Sequence, residues 1–393
     1  MNIKIIACAA MSYSLMLLGG CVMGPDFKAP ETSLGKHWAP TPSQSGHSGT
    51  SESPVDVRWW DSFGDKQLSA LVREAQARNL DLQMAASRLE QSRAIRRQVA
   101  ADTLPAVDAS ADYSRSRNSQ RGLSDPSGKD GKQAFNLWNG GLGISWEADL
   151  WGRVKRSVEV ADASVQMAEE DRHALQLLVI VQTAQDYIEL RSTQQGLAVV
   201  EQNLQIAQRS LELTRLQLKE GVATELEVSE AAAQVAEIQA RMAPLQQHSA
   251  QLINALSLLL AREPRALQQQ LSTPADVPSY AATVPIGLPS ELAERRPDIR
   301  RAQAQLHATT AAIGVAEADF YPRITLSGNV GFQALQLSDL GSWGSRSFAF
   351  GPGLSLPLFE GGRLKGALQL QEGRQQEAGI GFQKTVLRAW HEV

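Results

Sequence analysis

Residues 79–105 read NLDLQMAASRLEQSRAIRRQVAADTLP, and residues 296–322 read RPDIRRAQAQLHATTAAIGVAEADFYP. The two stretches align without a gap at an offset of 217 residues, from 79 to 296, which places Asp81 on Asp298. Both end in a proline. Repetition of a unit this large decides the architecture of a chain before any single residue does.

A second match follows each copy, after a pair of alternating segments. Its offset is 210 residues, from 143 to 353. The repeated unit is therefore helix, strand, strand, helix. The aligned pairs are Gly143 with Gly353, Ser145 with Ser355, Gly152 with Gly362, Arg153 with Arg363 and Lys155 with Lys365.

The composition argues against several classes of function. The chain has 393 residues, of which 42 are acidic and 38 basic, and it contains no basic block. Nucleic acid is therefore not an expected partner. The six histidines are scattered without metal-ligand spacing, and no catalytic constellation emerges. We expect no metal, no cofactor and no enzymatic activity.

The N-terminus carries the features of an export signal. Residues 1–20 contain one charged side chain before an apolar run that ends in small residues, and this run is too short to span a membrane. LGGC at residues 18–21 resembles the bacterial lipobox, in which the cysteine is lipidated and becomes the mature N-terminus. Cys21 is the only cysteine outside the signal. In lipoproteins of this kind an aspartate after the cysteine usually retains the protein at the inner membrane, so Val22 at this position favours the outer membrane. An ordinary cleavage site beside a chance cysteine is the alternative.

Four segments alternate apolar and polar residues with a period of two, which predicts strands that each have one apolar side. They cover residues 107–114, 138–147, 324–333 and 348–356. Aromatic residues near the strand ends are typical of membrane strands. The predicted lipid-facing residues are Tyr113, Trp138, Leu142, Ile144, Trp146, Leu326, Val330, Phe348 and Phe350.

Both a soluble sandwich and a membrane barrel explain these strands. Strand lengths near ten residues and small residues on the polar side favour the barrel, in which the apolar side faces lipid. Four strands cannot close a barrel, because the smallest membrane barrels have about eight. Open edges in hydrocarbon would leave backbone groups unpaired, so other subunits must complete the sheet. Two copies would give eight strands, and three copies twelve with room for a pore.

Residues 153–220 contain no proline and one glycine, Gly196, and as one helix they would extend roughly 100 Å. Leucines recur along this stretch every seven residues, which indicates a coiled coil. Outside the signal, no apolar run reaches the roughly 18 residues that a transmembrane helix needs. The leucine row is Leu190, Leu197, Leu204, Leu211 and Leu218.

The long helix is predicted to end at Gly221, because a glycine suits a left-handed cap. Thr224 and Glu227 then form a capping-box pattern that begins a returning helix. Pro244 should kink this second helix. The polar faces of this hairpin are either a solvated surface or the lining of a channel.

The chain resembles the outer-membrane efflux factors of the TolC and OprM type, in particular the lipidated branch that serves resistance-nodulation-division pumps. It carries several motifs of that family in the family's order. The similarity covers nearly all of the mature chain. The motifs are the lipobox ending at Cys21, WWDSF at 59–63, WEADLWGR at 146–153, GVAT at 221–224, RRPDI at 295–299, FYP at 320–322 and PLFEGGR at 357–363.

This resemblance implies a mixed α and β fold: a homotrimer with four strands per subunit in a shared 12-stranded membrane barrel, continuous with a helical coiled-coil barrel. It implies a passive exit duct for drugs or other small compounds, lipid-anchored in the outer membrane and extending into the periplasm. The duct would dock to a periplasmic adaptor (membrane fusion) protein and an inner-membrane transporter that supplies the energy. The helix tip Gly221, Val222, Ala223 and Thr224 is where the resemblance places the adaptor contact.

The pattern divides the chain into five parts. The second repeat has only 30 residues after Arg363, so we expect a truncated chain that ends within its descending helix. A duct for type I protein secretion and a coiled-coil surface lipoprotein without a channel remain alternatives. The parts are the signal peptide 1–20, a lipidated tether and collar segment 21–66, the first repeat 67–262, an equatorial linker 263–290 and the second repeat 291–393.

Overall fold

The structure, a computed structural model, places the chain in two compact units that each combine segments of both repeats. We call them the sheet unit and the helical unit. The structure describes residues 22–30, 56–120, 133–280 and 295–392, and the backbone of 49–51 and 283–285. The sheet unit comprises residues 1–31, 90–167 and 301–392, and the helical unit comprises residues 32–89, 168–300 and 393.

The sheet unit contains four long strands in antiparallel order β2-β3-β5-β6. They coincide with the four alternating segments of the sequence, so the strand prediction is confirmed. Each hairpin of the repeat supplies two neighbouring strands, and β3 pairs with β5 to join the two hairpins. The bounds are β2 Ala106–Ser116, β3 Phe135–Ala148, β5 Arg323–Ala334 and β6 Arg346–Ser355.

The helices also follow the repeat. The first copy gives α2 and α3 on either side of its hairpin, and the second gives α6 and α7. None of the helices within the described ranges is both long and apolar enough to cross a membrane. The bounds are α1 Lys66–Arg78, α2 Leu80–Ala101, α3 Arg153–Lys219, α4 Glu225–Leu259, α5 Gln268–Leu271, α6 Pro297–Ala318 and α7 Arg363–His391.

The helical unit has an ordinary buried core. Trp60, in a short 3₁₀ helix at Trp59–Phe63, packs there with apolar residues of α1, α3 and α4. Arg191 crosses the core and donates to the carbonyls of Leu271 and Thr273. A two-stranded parallel pairing of β1 Gly49–Ser51 with β4 Thr283–Pro285 completes the elements of this unit within the described ranges.

The predicted hairpin of helices is present as α3, with 67 residues, and α4, with 35. The heptad leucines of α3 are buried or half-buried, whereas Val199, Ile206 and Leu213 on another face are exposed. This difference confirms the predicted apolar row. Helix α4 continues through Pro244 without ending.

The structure differs from the expectation of a simple tether after Cys21. Cys21 itself and the signal lie outside the described residues, but Val22–Phe27 packs against α3 and α6 within the sheet unit. Composition could not indicate this packing, because an extended segment with proline and glycine is equally typical of a linker.

Candidate functional site

The predicted lipid-facing side chains lie together on one face of the sheet. Leu142 on β3 is paired with Val330 on β5, which is paired with Phe348 on β6. The next row, two residues along each strand, contains Ile144 and Phe350. All nine predicted residues therefore share a face, because side chains two apart on a strand point the same way.

This apolar face is exposed in the single chain. Phe350 is 73% exposed and Leu142 51%, and the two tryptophans, Trp138 and Trp146, are half-buried. Tyr113 lies against Trp138 with 4.3 Å between ring centroids. Soluble monomers rarely expose a large continuous apolar patch, so this face indicates contact with something other than water.

The opposite face of the same sheet is polar. It carries Asp108, Asn139 and Asn329, among others, and Gln333 donates to Asn139 across the β3–β5 pair at 2.9 Å. The outer strands β2 and β6 each have one neighbour in the described chain. Their outer backbone groups would have to be satisfied by another chain if the sheet lies in lipid.

At the end of the sheet where β3 ends and β5 begins, ionic and aromatic contacts link the neighbouring chain segments. Arg153 donates two hydrogen bonds to Glu147, at 2.9 and 2.8 Å. Trp151 stacks on Tyr321 at 4.8 Å between centroids, and its indole N–H donates to the Pro322 carbonyl at 2.8 Å. A cavity of about 270 Å³ lies here.

In the sequence these residues are recognisable only as parts of motifs. The sequence does not show that the two repeats meet at this end of the sheet, where the end of the first hairpin contacts the beginning of the second. The motif WEADLWGR at 146–153 supplies both Glu147 and Arg153, and a six-residue spacing across a turn was the only available signal of their pairing.

The tip of the helical hairpin has two capping motifs in series. The Val222 amide donates to the Gln217 carbonyl at 2.8 Å and the Gly221 amide to Leu218 at 3.0 Å, which is a Schellman motif with Gly221 at φ +73°. Its left-handed backbone is the reason for a glycine there. The predicted ending of α3 at this position is confirmed.

The returning helix begins with the predicted capping box. The Glu227 amide donates to Thr224 Oγ1 at 3.4 Å, and the Thr224 amide donates to Glu227 at 2.6 Å. The backbone hydrogen bond from Thr224, followed by its hydroxyl, lowers the pKa of Glu227 below its usual range. Val222 between the two caps is 77% exposed. The tip is thus a rigid turn that presents an apolar side chain to solvent.

Several titratable side chains elsewhere in the described ranges form ion pairs. No group of three or more His, Cys, Asp or Glu side chains there is arranged to hold a metal ion. Asp298 accepts from the Ile299 amide at the start of α6 and pairs with Arg296, which accounts for it structurally. Cys21 lies outside the described residues.

A four-stranded sheet with one exposed apolar face, joined to a long helical hairpin, defines the class: a subunit of an outer-membrane channel. The sequence profile described as outer membrane efflux protein matches residues 71–262 and 288–393. The chain belongs to the outer membrane efflux protein family, a family of ducts.

Individual relatives agree with this membership. The chain is 32% identical over 390 residues to the antibiotic efflux pump outer membrane protein ArpC of Pseudomonas putida, covering 98% of this chain and 78% of the relative. It is equally similar, with the same coverage, to the toluene efflux pump outer membrane protein TtgC, also of Pseudomonas putida. The solved outer-membrane channel OprN is 33% identical with a TM-score of 0.86, over 95% of this chain and 81% of OprN.

The protein is therefore an outer-membrane efflux channel component with the mixed α and β fold of these channels. The prediction of the TolC and OprM type, made from motifs, is confirmed by both the relatives and the solved structures.

Proposed function

We propose that three copies of this chain form a 12-stranded barrel in the outer membrane, which serves as the passive exit duct of a tripartite pump for small compounds. The observation that carries this proposal is the exposed apolar face formed by Leu142, Val330 and Phe348 on a sheet whose outer strands each have one neighbour within the described residues. Lipid contact removes the apolar face from water, and neighbouring copies pair the edges.

The copy number follows from the polar face of the sheet. Two copies would give eight strands, whose interior is filled by side chains, whereas twelve strands leave an aqueous lumen. Polar residues such as Asn139, Asn329 and Gln333 lie on the face that would line this lumen. Such a lining suits a water-filled duct better than a packed core.

The transported compounds are small and at least partly apolar. The names of the two relatives, an antibiotic efflux and a toluene efflux protein, support this class. A water-filled duct has little selectivity of its own, so the inner-membrane transporter chooses the substrate and supplies the energy.

The helix tip Gly221–Thr224 is our proposed contact for the periplasmic adaptor. Its two caps hold the backbone through hydrogen bonds within residues 217–227. The space around the turn is open, since a Cβ placed at Gly221 would contact nothing within 4 Å. The exposed Val222 is then available for an apolar contact with the adaptor helices. Cys21 is proposed to carry the lipid anchor.

A gene deletion tests the function directly. Loss of the protein should increase sensitivity to several dyes, antibiotics or solvents by about fourfold or more, and the wild-type gene should restore resistance. A Leu142→Arg gene should fail to restore it, whereas Ser110→Arg on the polar face should restore it at least partly. Unchanged sensitivity together with loss of a secreted protein from the medium would instead favour type I protein secretion.

A further inference from the structure

The six residues that follow the predicted lipidation site are fixed to the sheet unit. We call Val22–Phe27 the strap. The Met23 amide of the strap donates to the Trp151 carbonyl at 3.0 Å, and Val22 lies against Gly152, the residue before α3. The strap therefore meets the turn through which the chain leaves the sheet.

Arg156 on α3 is the centre of this attachment. Its side chain is 4% exposed. Its Nε donates to the Met23 carbonyl at 3.1 Å, and its Nη2 donates to the Gly24 carbonyl at 3.2 Å and to Asp26 at 2.7 Å. One buried guanidinium thus binds three polar groups of the strap, and it is charge-paired with Asp26.

A second set of contacts holds the far end of the strap. The Phe27 ring stacks on the His307 ring of α6 at 4.4 Å between centroids and 16° between planes. His307 Nε2 lies 2.8 Å from Glu159, and Glu159 also accepts from Arg156 at 2.7 Å. The strap is therefore clamped between α3 and α6 by one connected network.

The backbone of the strap fits α6 so closely that side chains are excluded. Gly24 has φ +81°, and a Cβ there would overlap the Cα of Gly314. A Cβ on Gly314 would lie 2.6 Å from the Met23 carbonyl oxygen and 2.9 Å from the Arg156 side chain. Two facing glycines with no space for a methyl group indicate a dedicated contact surface.

The strap lies at the end of the sheet where β3 ends and β5 begins, which is also where the apolar face ends. Trp151 follows the end of β3, and its indole binds the carbonyl of Pro322 just before β5 begins. Amphipathic aromatic residues gather at this level of membrane proteins, between hydrocarbon and water. The chain connections at this same end of the sheet carry exposed apolar residues: Leu104, Phe320, Tyr321, Leu358 and Phe359.

We propose that docking of the strap onto α3 and α6 positions the lipidated N-terminus, so that the acyl chains lie beside the end of β3 at the membrane interface. This inference rests on the proposed lipidation of Cys21. Because Cys21 is bonded to Val22, no free linker separates the lipid from the folded body. The anchor then sets the height of the sheet in the bilayer, which a flexible tether could not do.

Hydrogen exchange on the protein purified from the outer membrane into lipid nanodiscs tests docking. The key variant is Gly24→Ala, which adds one methyl group at a left-handed position outside any helix or strand. Deuterium uptake of the strap peptide should accelerate by at least about tenfold, because its amides become solvent-exposed. Asp26→Ala, which removes one exposed carboxylate from Arg156, should give a smaller acceleration. Lys28→Ala, just beyond the strap, is the matched control and should leave uptake unchanged.

A nitroxide spin label tests the height of the anchor. Attached to Pro25→Cys, it should show slow motion and one depth near the membrane interface, and adding Gly24→Ala should make it mobile. Equal deuterium uptake of the strap peptide in wild type and Gly24→Ala, or a spin label equally mobile in both, would refute docking of the strap. Mass spectrometry of the same samples separates the two proposals: absence of acyl chains on Cys21 refutes the lipid anchor, whereas acylation with an unprotected strap refutes only the docking.

Discussion

The helical unit and the sheet unit place the same kinds of side chain in opposite surroundings. In the helical unit, Leu256 is 0% exposed and packs among apolar residues of α1 and α3. In the sheet unit, Phe348 and Phe350 stand next to each other on the surface, 5.9 Å apart between ring centroids. Both patterns are regular, with a period of seven on helices and a period of two on strands.

The difference shows that apolar periodicity identifies a face that avoids water but not what covers it. The leucine row of α3 is buried or half-buried by its own chain. The sheet row has no covering layer among the described residues of its own chain, and a regular apolar face without a cover needs an apolar medium.

Leu256→Ala should destabilise the helical unit by about 2–5 kcal/mol, because it leaves a cavity in a fully buried core. The measurement is urea unfolding monitored by circular dichroism. Leu216→Ala, at an exposed position of α3, is the matched control and should change the unfolding free energy by less than about 0.5 kcal/mol. Equal losses in the two variants would contradict the assigned core.

Leu142→Arg should disfavour membrane insertion by about 2–4 kcal/mol, the cost of a cation at the lipid face of a barrel strand. The barrel should lose its heat-modifiable migration on gels, and less protein should reach the outer membrane. Ser110→Arg, on the polar face of neighbouring β2, should insert normally because that face would contact water. If both variants insert equally well, the apolar face does not contact lipid.

Gly221→Ala should destabilise the helical hairpin by about 1–2 kcal/mol, because alanine disfavours the left-handed conformation that the Schellman motif requires. Gly196→Ala, within α3 and with open space at its Cβ, should instead stabilise by up to about 1 kcal/mol. Opposite signs in thermal unfolding of the two variants would confirm the cap. The same sign in both would refute it.

Strap docking should weaken in acid. Burial alone would raise the pKa of Glu159, but hydrogen bonds from Arg156 and His307 hold that pKa below the usual value for a glutamate. A carboxylate with a lowered pKa stabilises the folded state above its unfolded pKa, and this contribution disappears as the pH falls through the folded value. The difference in strap exchange between wild type and Glu159→Gln should therefore be largest near neutral pH and shrink below about pH 4. A difference that is independent of pH would contradict this role.

Much of the fold could be predicted because its signals are local and repeated. The period-two segments indicated the strands, and the repeat established the order of helices and hairpins. The glycine and the capping-box pattern predicted the position of the helix tip correctly, with the left-handed cap at Gly221 and the N-cap at Thr224. Each of these features depends on residues close together in the chain.

The missed features depend on distant residues. Arg156 binds the strap across about 130 positions of sequence, and nothing near Arg156 distinguishes it from a solvated helix arginine. The pairing of β3 with β5 joins the two repeats, and its register was not evident from either repeat alone. The roles of Cys21 and of the tip as an adaptor contact remain predictions.

We infer that the four strands of one chain are completed inside the membrane by the strands of two other copies. The most direct measurement is native mass spectrometry of the protein extracted from the outer membrane in mild detergent. We expect a complex of three chains that persists until the sample is heated. A monomer that stays in solution without detergent would contradict it.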